Sequence, residues 1–156
     1  MKGSVVTLTI SEEPWDSVDG DRLRSAMEAE LAARYGIPDQ EGHKPTAENV
    51  DVYLIARDAA GNAVGCGALW LLPEGTAEIK RMYVTPQARG TGVATGILRD
   101  LEEHARRRGL DTVRLATGDK QPDAIRFYER EGYVRTDGYG PYTGHPMAVC
   151  FARRLT

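Results

Sequence analysis

Apolar positions along this chain follow two different periods. Alternation or short apolar runs mark strands at Val5–Ile10, Asp51–Arg57, Ala63–Leu72, Glu78–Val84 and Thr112–Thr117. Tyr133-Val134 begins a sixth strand and Met147–Phe151 forms a seventh. Spacings of three and four mark three helices. The first carries Leu23, Met27, Leu31 and Ala32 on one face, takes Asp19 or Asp21 as its cap, and stops at Gly36 after Tyr35. The second runs from near Gly92 to Arg108, with Val93, Ala94, Ile97, Leu98, Leu101 and Ala105 inward and Gly109 as its stop. The third opens with Pro122 at its first position, where a missing N–H costs nothing, runs to Glu131 and is closed by Gly132.

Short turns at Asp58–Asn62 and Pro73–Gly75 predict an antiparallel meander through the first four strands. The strand–helix–strand passage from Glu78 to Thr117 predicts parallel fourth and fifth strands with a right-handed crossover. The expected fold class is α/β (α+β): a mixed sheet of about seven strands with three to four helices on its faces. Gly65 and Gly67 weaken the third strand but permit close packing on it. Ile37–Asn49 and Tyr139–Pro146 are rich in turn residues and show no period; loops of this kind often carry function.

Composition narrows the picture. The 156 residues suffice for a proper core, and are expected to form a single domain spanning 1–156. A share of 41% hydrophobic against 28% charged residues is that of a soluble globular protein. With a net charge of −3 there is no electrostatic case for nucleic acid. Arg106-Arg107-Arg108 falls at a helix C-terminus, where cations complement the dipole, and reads as a solvated helix end. No apolar run approaches the ~20 residues of a membrane span, so no membrane association is expected. Met1–Thr7 lacks the apolar core and cleavage site of a signal peptide, and a cytoplasmic location follows as the expectation. Cys66 and Cys150 read as buried, reduced thiols. His43, His104 and His145 have no metal-ligand spacing with one another or with the cysteines, so no metal is expected.

The densest chemical signal is Gln87-Ala88-Arg89-Gly90-Thr91-Gly92-Val93-Ala94, between the fourth strand and the second helix. Gly90 and Gly92 remove Cβ atoms where the helix begins, so a ligand can approach the backbone closely. The first helical N–H groups have no intrahelical partner, the dipole adds partial positive charge, and Arg89 adds a full one. Such a turn suits an anionic, phosphate-like group. It is not a dinucleotide fingerprint: Gly96 comes one position late, and Thr85–Arg89 separates strand from first glycine. It is not a Walker loop either, because no Gly-Lys-Ser or Gly-Lys-Thr triplet exists.

Gln87-x-x-Gly90-x-Gly92 resembles the Gln/Arg-x-x-Gly-x-Gly/Ala pyrophosphate loop of the GNAT acetyl-CoA-dependent N-acetyltransferases. Downstream, Ala124-Ile125-Arg126-Phe127-Tyr128-Glu129-Arg130-Glu131-Gly132-Tyr133 is similar to that family's Ala-x-x-Phe-Tyr-x-x-x-Gly-Phe/Tyr stretch. The match covers Ala63 to Tyr133. The resemblance implies a GNAT-like fold whose fourth and fifth strands splay apart around the pantetheine arm of acetyl-CoA, the donor cosubstrate. It implies an amine acceptor, a small molecule favoured over protein lysines or N-termini. A non-catalytic acyl-CoA-binding regulatory domain is the rival reading, and a homodimer through the last strands is the expected assembly.

On this sequence, Met82, Tyr83 and Val84 fall where the family's fourth strand meets that arm. The backbone amides of Arg89, Gly90, Thr91, Gly92, Val93 and Ala94, after Gln87, fall where it holds the diphosphate. Gln121 stands where many relatives have asparagine, offering the same amide on a longer stem. Tyr128 is the candidate general acid, since a phenol near a departing thiolate can give it a proton; Phe127 reads as core. Glu78 is the candidate general base, directly or through water, on a strand face shared with Lys80 and Met82 by two-residue alternation. The other reading of Glu78 is a carboxylate paired with Lys80. Asp39, Glu41 and His43 are expected near the substrate entrance. Asp119 and Asp123 read as helix-start charges.

Overall fold

The computed structural model describes residues 7–36 and 50–155. In chain order its elements are β1 (Thr9–Glu12), α1 (Val18–Tyr35), β2 (Val52–Arg57), β3 (Ala63–Leu72), β4 (Thr76–Val84), α2 (Val93–Arg107), β5 (Thr112–Gly118), α3 (Pro122–Arg130), β6 (Val134–Thr136) and β7 (Ala148–Arg154), with 3-10 turns at Pro86–Ala88 and Gly140–Tyr142. Seven strands form one sheet in the order β1-β2-β3-β4-β5-β7-β6. β1 to β4 pair antiparallel in sequence, as the short turns predict. β4 and β5 are parallel, joined through α2, and β7 inserts antiparallel between β5 and β6.

Three local expectations are corrected. The first strand lies later than Val5–Ile10: Thr9–Glu12 pairs with Arg57–Leu54, and the Glu13 carboxylate locks this register by pairing with Arg57 at 2.8 Å. Val5 and Val6 of that run lie outside the described residues. The cap of α1 is Ser17, not Asp19 or Asp21; its hydroxyl accepts from the Gly20 N–H at 3.0 Å. Asp19 is turned away to Arg57, at 2.9 Å. Tyr133 precedes β6 instead of opening it, because its ring is buried in the core.

The sheet separates two unequal cores. On one face Val52, Leu54, Leu69, Ala77, Ile79, Val113, Leu115 and Phe151 pack against Val93, Ile97, Leu98, Leu101 and Ala105 of α2. Gly65 and Gly67 make this approach possible: a Cβ on Gly67 would lie 2.8 Å from Ile97 Cγ2 and 2.7 Å from Met82 Sδ. The other face carries a smaller cluster of Tyr53, Ile55, Cys66, Ala68 and Tyr83 under Leu23 of α1.

Two irregularities of β4 shape the space between the strands. Cys66 pairs with Tyr83 but Ala68 pairs with Lys80, so β4 carries one extra residue opposite Gly67. Arg81 sits there at φ 58, a left-handed conformation rare for a residue with a side chain. The extra residue shifts alternation by one. Glu78 and Lys80 face α1, whereas Met82 and Val84 pack with Ile79 in the α2-side core. Met82 therefore does not share a face with Glu78 and Lys80, contrary to simple alternation. Second, β4 and β5 pair only from Thr76↔Thr112 to Ile79↔Leu115, although β4 continues to Val84 and β5 to Gly118. Beyond Ile79 and Leu115 the two strands part.

Candidate active site

The parting of β4 and β5 opens a cleft of about 340 Å³ through the sheet, within the size range of small-molecule sites. Its floor is the last paired couple, Ile79 and Leu115. Met82, Gln121, Ala124 and Tyr128 line the side toward α3, and Met27, Leu31 and Tyr35 of α1 line the other with Glu78, Lys80 and Arg81. Pro141, Tyr142 and His145 of the Tyr139–Pro146 loop also reach it.

Tyr128 lies at the cleft because α3 is short and amphipathic. Its inward positions Ala124, Ile125 and Tyr128 recur at helical spacing. The Tyr128 ring packs edge-on against Phe127 and Tyr133, at centroid distances of 5.1 and 5.8 Å, and against Phe151 at 6.1 Å. Its hydroxyl makes no hydrogen bond with any described residue. Burial alone pushes its proton affinity above that of an ordinary phenol, so it remains protonated through the neutral range. Phe127 is half-buried against the same core, as its core reading expects.

Glu78 is 4% exposed, opposite Trp70 in the ladder, and its carboxylate lies 3.3 Å from Lys80 Nζ. The pairing with Lys80 is thus formed. Lys80 also donates to the Tyr142 hydroxyl at 3.0 Å and sits over the rings of Trp70 and Tyr142. The Tyr139 hydroxyl is buried near this carboxylate, and burial first, then the charge of Glu78, hold its proton more tightly than usual. A second hollow of about 230 Å³, lined by Trp70, Leu72, Tyr139 and Pro141, opens on the same pair.

In the glycine turn, Gly90 and Gly92 adopt φ 79 and 90, and a Cβ on either would meet nothing within 4 Å. Glycine is therefore required by backbone angle, and the space above the turn is open. Gly92 caps α2 without a side-chain acceptor, and the first turn holds no acidic residue. Among the described residues, the N–H groups of Gly90, Thr91 and Gly92 find no protein acceptor; that of Arg89 donates to Pro86 O at 3.4 Å. Gln87 is exposed in the preceding 3-10 turn. The Arg89 guanidinium does not stand alone beside the turn as a full charge: it pairs with Glu30 of α1 at 2.8 Å and donates to the Val84 carbonyl at 3.0 Å.

Not every expected residue reaches the cleft. Met82, Gln121, Tyr128 and Glu78 line it. Tyr83 faces α1 beside Cys66, and Val84 packs in the α2-side core. Asp39, Glu41 and His43 lie outside the described residues. The sequence reading missed Tyr35 and His145. Tyr35 reaches from the end of α1 to accept the Lys120 N–H at 3.0 Å, resting on Gly118 where any Cβ would overlap its hydroxyl. His145 Nδ1 accepts the Met147 N–H at 3.2 Å, which leaves Nε2 as the N–H of the neutral ring. The Tyr35 contact is long-range, and only the glycine at 118 hinted at its close approach. Among the described residues no group of three or more His, Cys, Asp or Glu could hold a metal ion, and no helix is long and apolar enough to cross a membrane.

Both the sequence and the fold resemble those of known proteins. Residues 13–133 match the acetyltransferase (GNAT) family, and the chain belongs to that family, as an acyltransferase enzyme. The IAA acetyltransferase of Azospirillum brasilense is 36% identical over 104 residues, covering 66% of this chain and 67% of that one. A crystal structure from Klebsiella pneumoniae, assigned to the acyl-CoA N-acyltransferases, superposes with a TM-score of 0.83 at 33% identity over 96% of this chain and 98% of its own. The PaiA N-acetyltransferase of Thermoplasma acidophilum, solved in complex with coenzyme A, superposes with a TM-score of 0.72 over 95% of this chain and 99% of its own. At 17% identity that last likeness speaks for the fold alone.

Proposed function

We propose that this chain, acting as one domain in the cytoplasm, moves the acetyl group of acetyl-CoA to a primary amine of a small molecule. The observation that supports the reading best is Tyr128 lining the cleft beyond the parted strands, its phenol kept protonated by burial and without a hydrogen-bond partner among the described residues. The amides of Gly90 to Ala94 would hold the diphosphate, with α2 adding its dipole. The pantetheine arm would run past Met82, Gln121 and Ala124 between β4 and β5.

The amine enters from the α1 side, past Tyr35, Tyr142 and His145. Its nitrogen attacks the thioester carbon, the new C–N bond forms, and the tetrahedral intermediate expels sulfur as the C–S bond breaks. Tyr128 gives its proton to the departing thiolate and regains one from solvent. The surplus proton of the amine leaves toward Glu78, directly or through water. A second reading of Glu78 rests on the 3.3 Å contact with Lys80. On that reading the pair orders the acceptor side while solvent takes the proton. Glu78→Gln separates the two: loss of the acidic limb of the pH–rate profile supports the base, and an unchanged limb supports the ordering role.

A small acceptor fits the size of the cleft and the aromatic side chains at its α1 mouth; a relative named for a small molecule agrees with it. The homodimer implied by the family likeness would use β6, the outermost and exposed strand. Thiol release from acetyl-CoA over a panel of small amines and lysine peptides, with mass detection of the product, tests the reading. Turnover confined to peptides would replace the acceptor class, and binding of acetyl-CoA without turnover on any amine would favour a regulatory domain.

A further inference from the structure

The side of α2 away from the glycine turn carries a buried charged cluster that acetyl transfer does not itself call for. Glu102 has no exposed surface and stands among the inward positions Leu98, Leu101 and Ala105. An unpaired carboxylate there would be strongly disfavoured. Its Oε1 accepts from Arg153 Nη1 at 2.7 Å and from Arg99 Nη1 at 2.9 Å. Its Oε2 accepts the Tyr133 hydroxyl at 2.7 Å. Arg99 also donates through Nη2 to the Glu131 carbonyl at 3.1 Å and to its carboxylate at 2.8 Å. Thr95, Arg99 and Glu102 follow a spacing of four and three, one stripe of α2, and this stripe grips the end of α3.

What the cluster grips is the surroundings of Tyr128. The Tyr133 N–H donates to the Tyr128 carbonyl at 2.9 Å, and the two rings meet edge-on at 5.8 Å. Glu131, the C-cap of α3, is one turn beyond Tyr128. A buried ion cluster is weak evidence for stability, since apolar side chains of similar volume often hold a fold as well. Directional bonds supply something apolar packing does not, a fixed angle and offset between two helices. Here one helix begins at the diphosphate turn and the other carries Tyr128.

We infer that Glu102, Arg99 and Tyr133 are positioning residues: they set Tyr128 against the N-terminus of α2, and so against the sulfur of a coenzyme A anchored there. The inference rests on the acetyl-transfer reading of the cleft. The cluster acts on the chemical step and leaves the affinity for acetyl-CoA nearly unchanged, because Arg99 and Glu102 lie more than one turn of α2 beyond the amides that hold the diphosphate.

Tyr133→Phe removes only the hydroxyl bond and keeps the ring and the main-chain bond to Tyr128. Its kcat should fall about tenfold, with KM for acetyl-CoA within about twofold, as small displacements of a reacting group cost rate more than binding. In a Tyr128→Phe background the same change should shift kcat by less than about twofold, because the group it positions is gone. A full tenfold loss in both backgrounds, or an effect on KM for acetyl-CoA alone, overturns the inference while leaving the acid role of Tyr128 standing. Unchanged turnover in Tyr128→Phe itself would overturn both. Arg99→Lys, at a side chain 41% exposed, keeps the charge but cannot span Glu102 and Glu131 together. It should show the same coupling at smaller amplitude, and gives the cycle if Tyr133→Phe does not fold; thermal melting verifies that each variant is folded.

Discussion

On the α2 side of the sheet, Ile97, Leu98 and Leu101 are fully buried against a continuous apolar surface, drawn close by Gly65 and Gly67. On the α1 side only Leu23 and Arg24 of the side chains on the helix are buried, and Met27, Leu31 and Tyr35 stand half-buried over the polar group Glu78, Lys80 and Arg81. One sheet thus serves two purposes. The tight face fixes the helix whose first turn, on the proposed reading, would receive the diphosphate. The loose face, on the same reading, would leave room for an acceptor with charge beside it. The bulge at Arg81 divides the two on a single strand, sending Glu78 and Lys80 to the loose face and Met82 to the tight one.

The comparison can be broken first at the residue between the faces. Tyr128→Phe is expected to lower kcat by ~10²–10⁴ with a modest effect on KM, measured in steady state. Wild-type-like turnover would remove the acid role. The tight face can then be loosened. Gly67→Ala places a methyl group against Met82 and Ile97, and overpacking of this kind costs roughly 1–3 kcal/mol, to be read from the denaturant midpoint. A neutral result would mean that α2 is not held at its minimum distance. Gly92→Ala tests the turn alone: holding a side chain at positive φ costs roughly 1–2 kcal/mol, so KM for acetyl-CoA should rise by up to about tenfold with less change in kcat. An unchanged KM would separate the turn from cofactor binding. The smallest effect is in pH. The proposed acid role needs a protonated Tyr128, and burial raises its pKa, so its acid form persists to higher pH than that of a free phenol. With acceptor saturating, kcat should show no alkaline loss below pH ~10; a fall between neutrality and that point would assign the acid to another group.

Much of this arrangement was legible in the residues. The glycine turn, the α2 stripe and the stretch around Tyr128 are local signals, and local signals survive folding. The order of the first five strands followed from turn lengths and one crossover, whereas the insertion of β7 between β5 and β6 left no local signal. The bulge was not legible, because nothing in Lys80-Arg81-Met82 distinguishes a strand that continues alternating from one that gains a residue. That single step misplaced Met82 relative to Glu78. The reading took Asp19 or Asp21 as the cap because acidic residues cap well; Ser17 holds the position, and Asp19 is drawn off by its ion pair with Arg57. Glu102 did leave a trace: a carboxylate four residues after Leu98, on the apolar stripe of α2, signals a buried polar group whose partners must come from elsewhere. Those partners, Tyr133 and Arg153, are distant in sequence and visible only once the chain is folded.

The central claim is that the amides from Gly90 to Ala94 hold the diphosphate of acetyl-CoA while its thioester lies by Tyr128. Backbone amide chemical shifts in a titration with coenzyme A, repeated with pantetheine, test it most directly. The account expects coenzyme A to shift Gly90, Thr91, Gly92, Val93 and Ala94 together with Met82 and Ala116 to Gly118, and pantetheine to shift only the second group. Binding of coenzyme A that leaves Gly90 to Ala94 unmoved, or no binding at all, would contradict it.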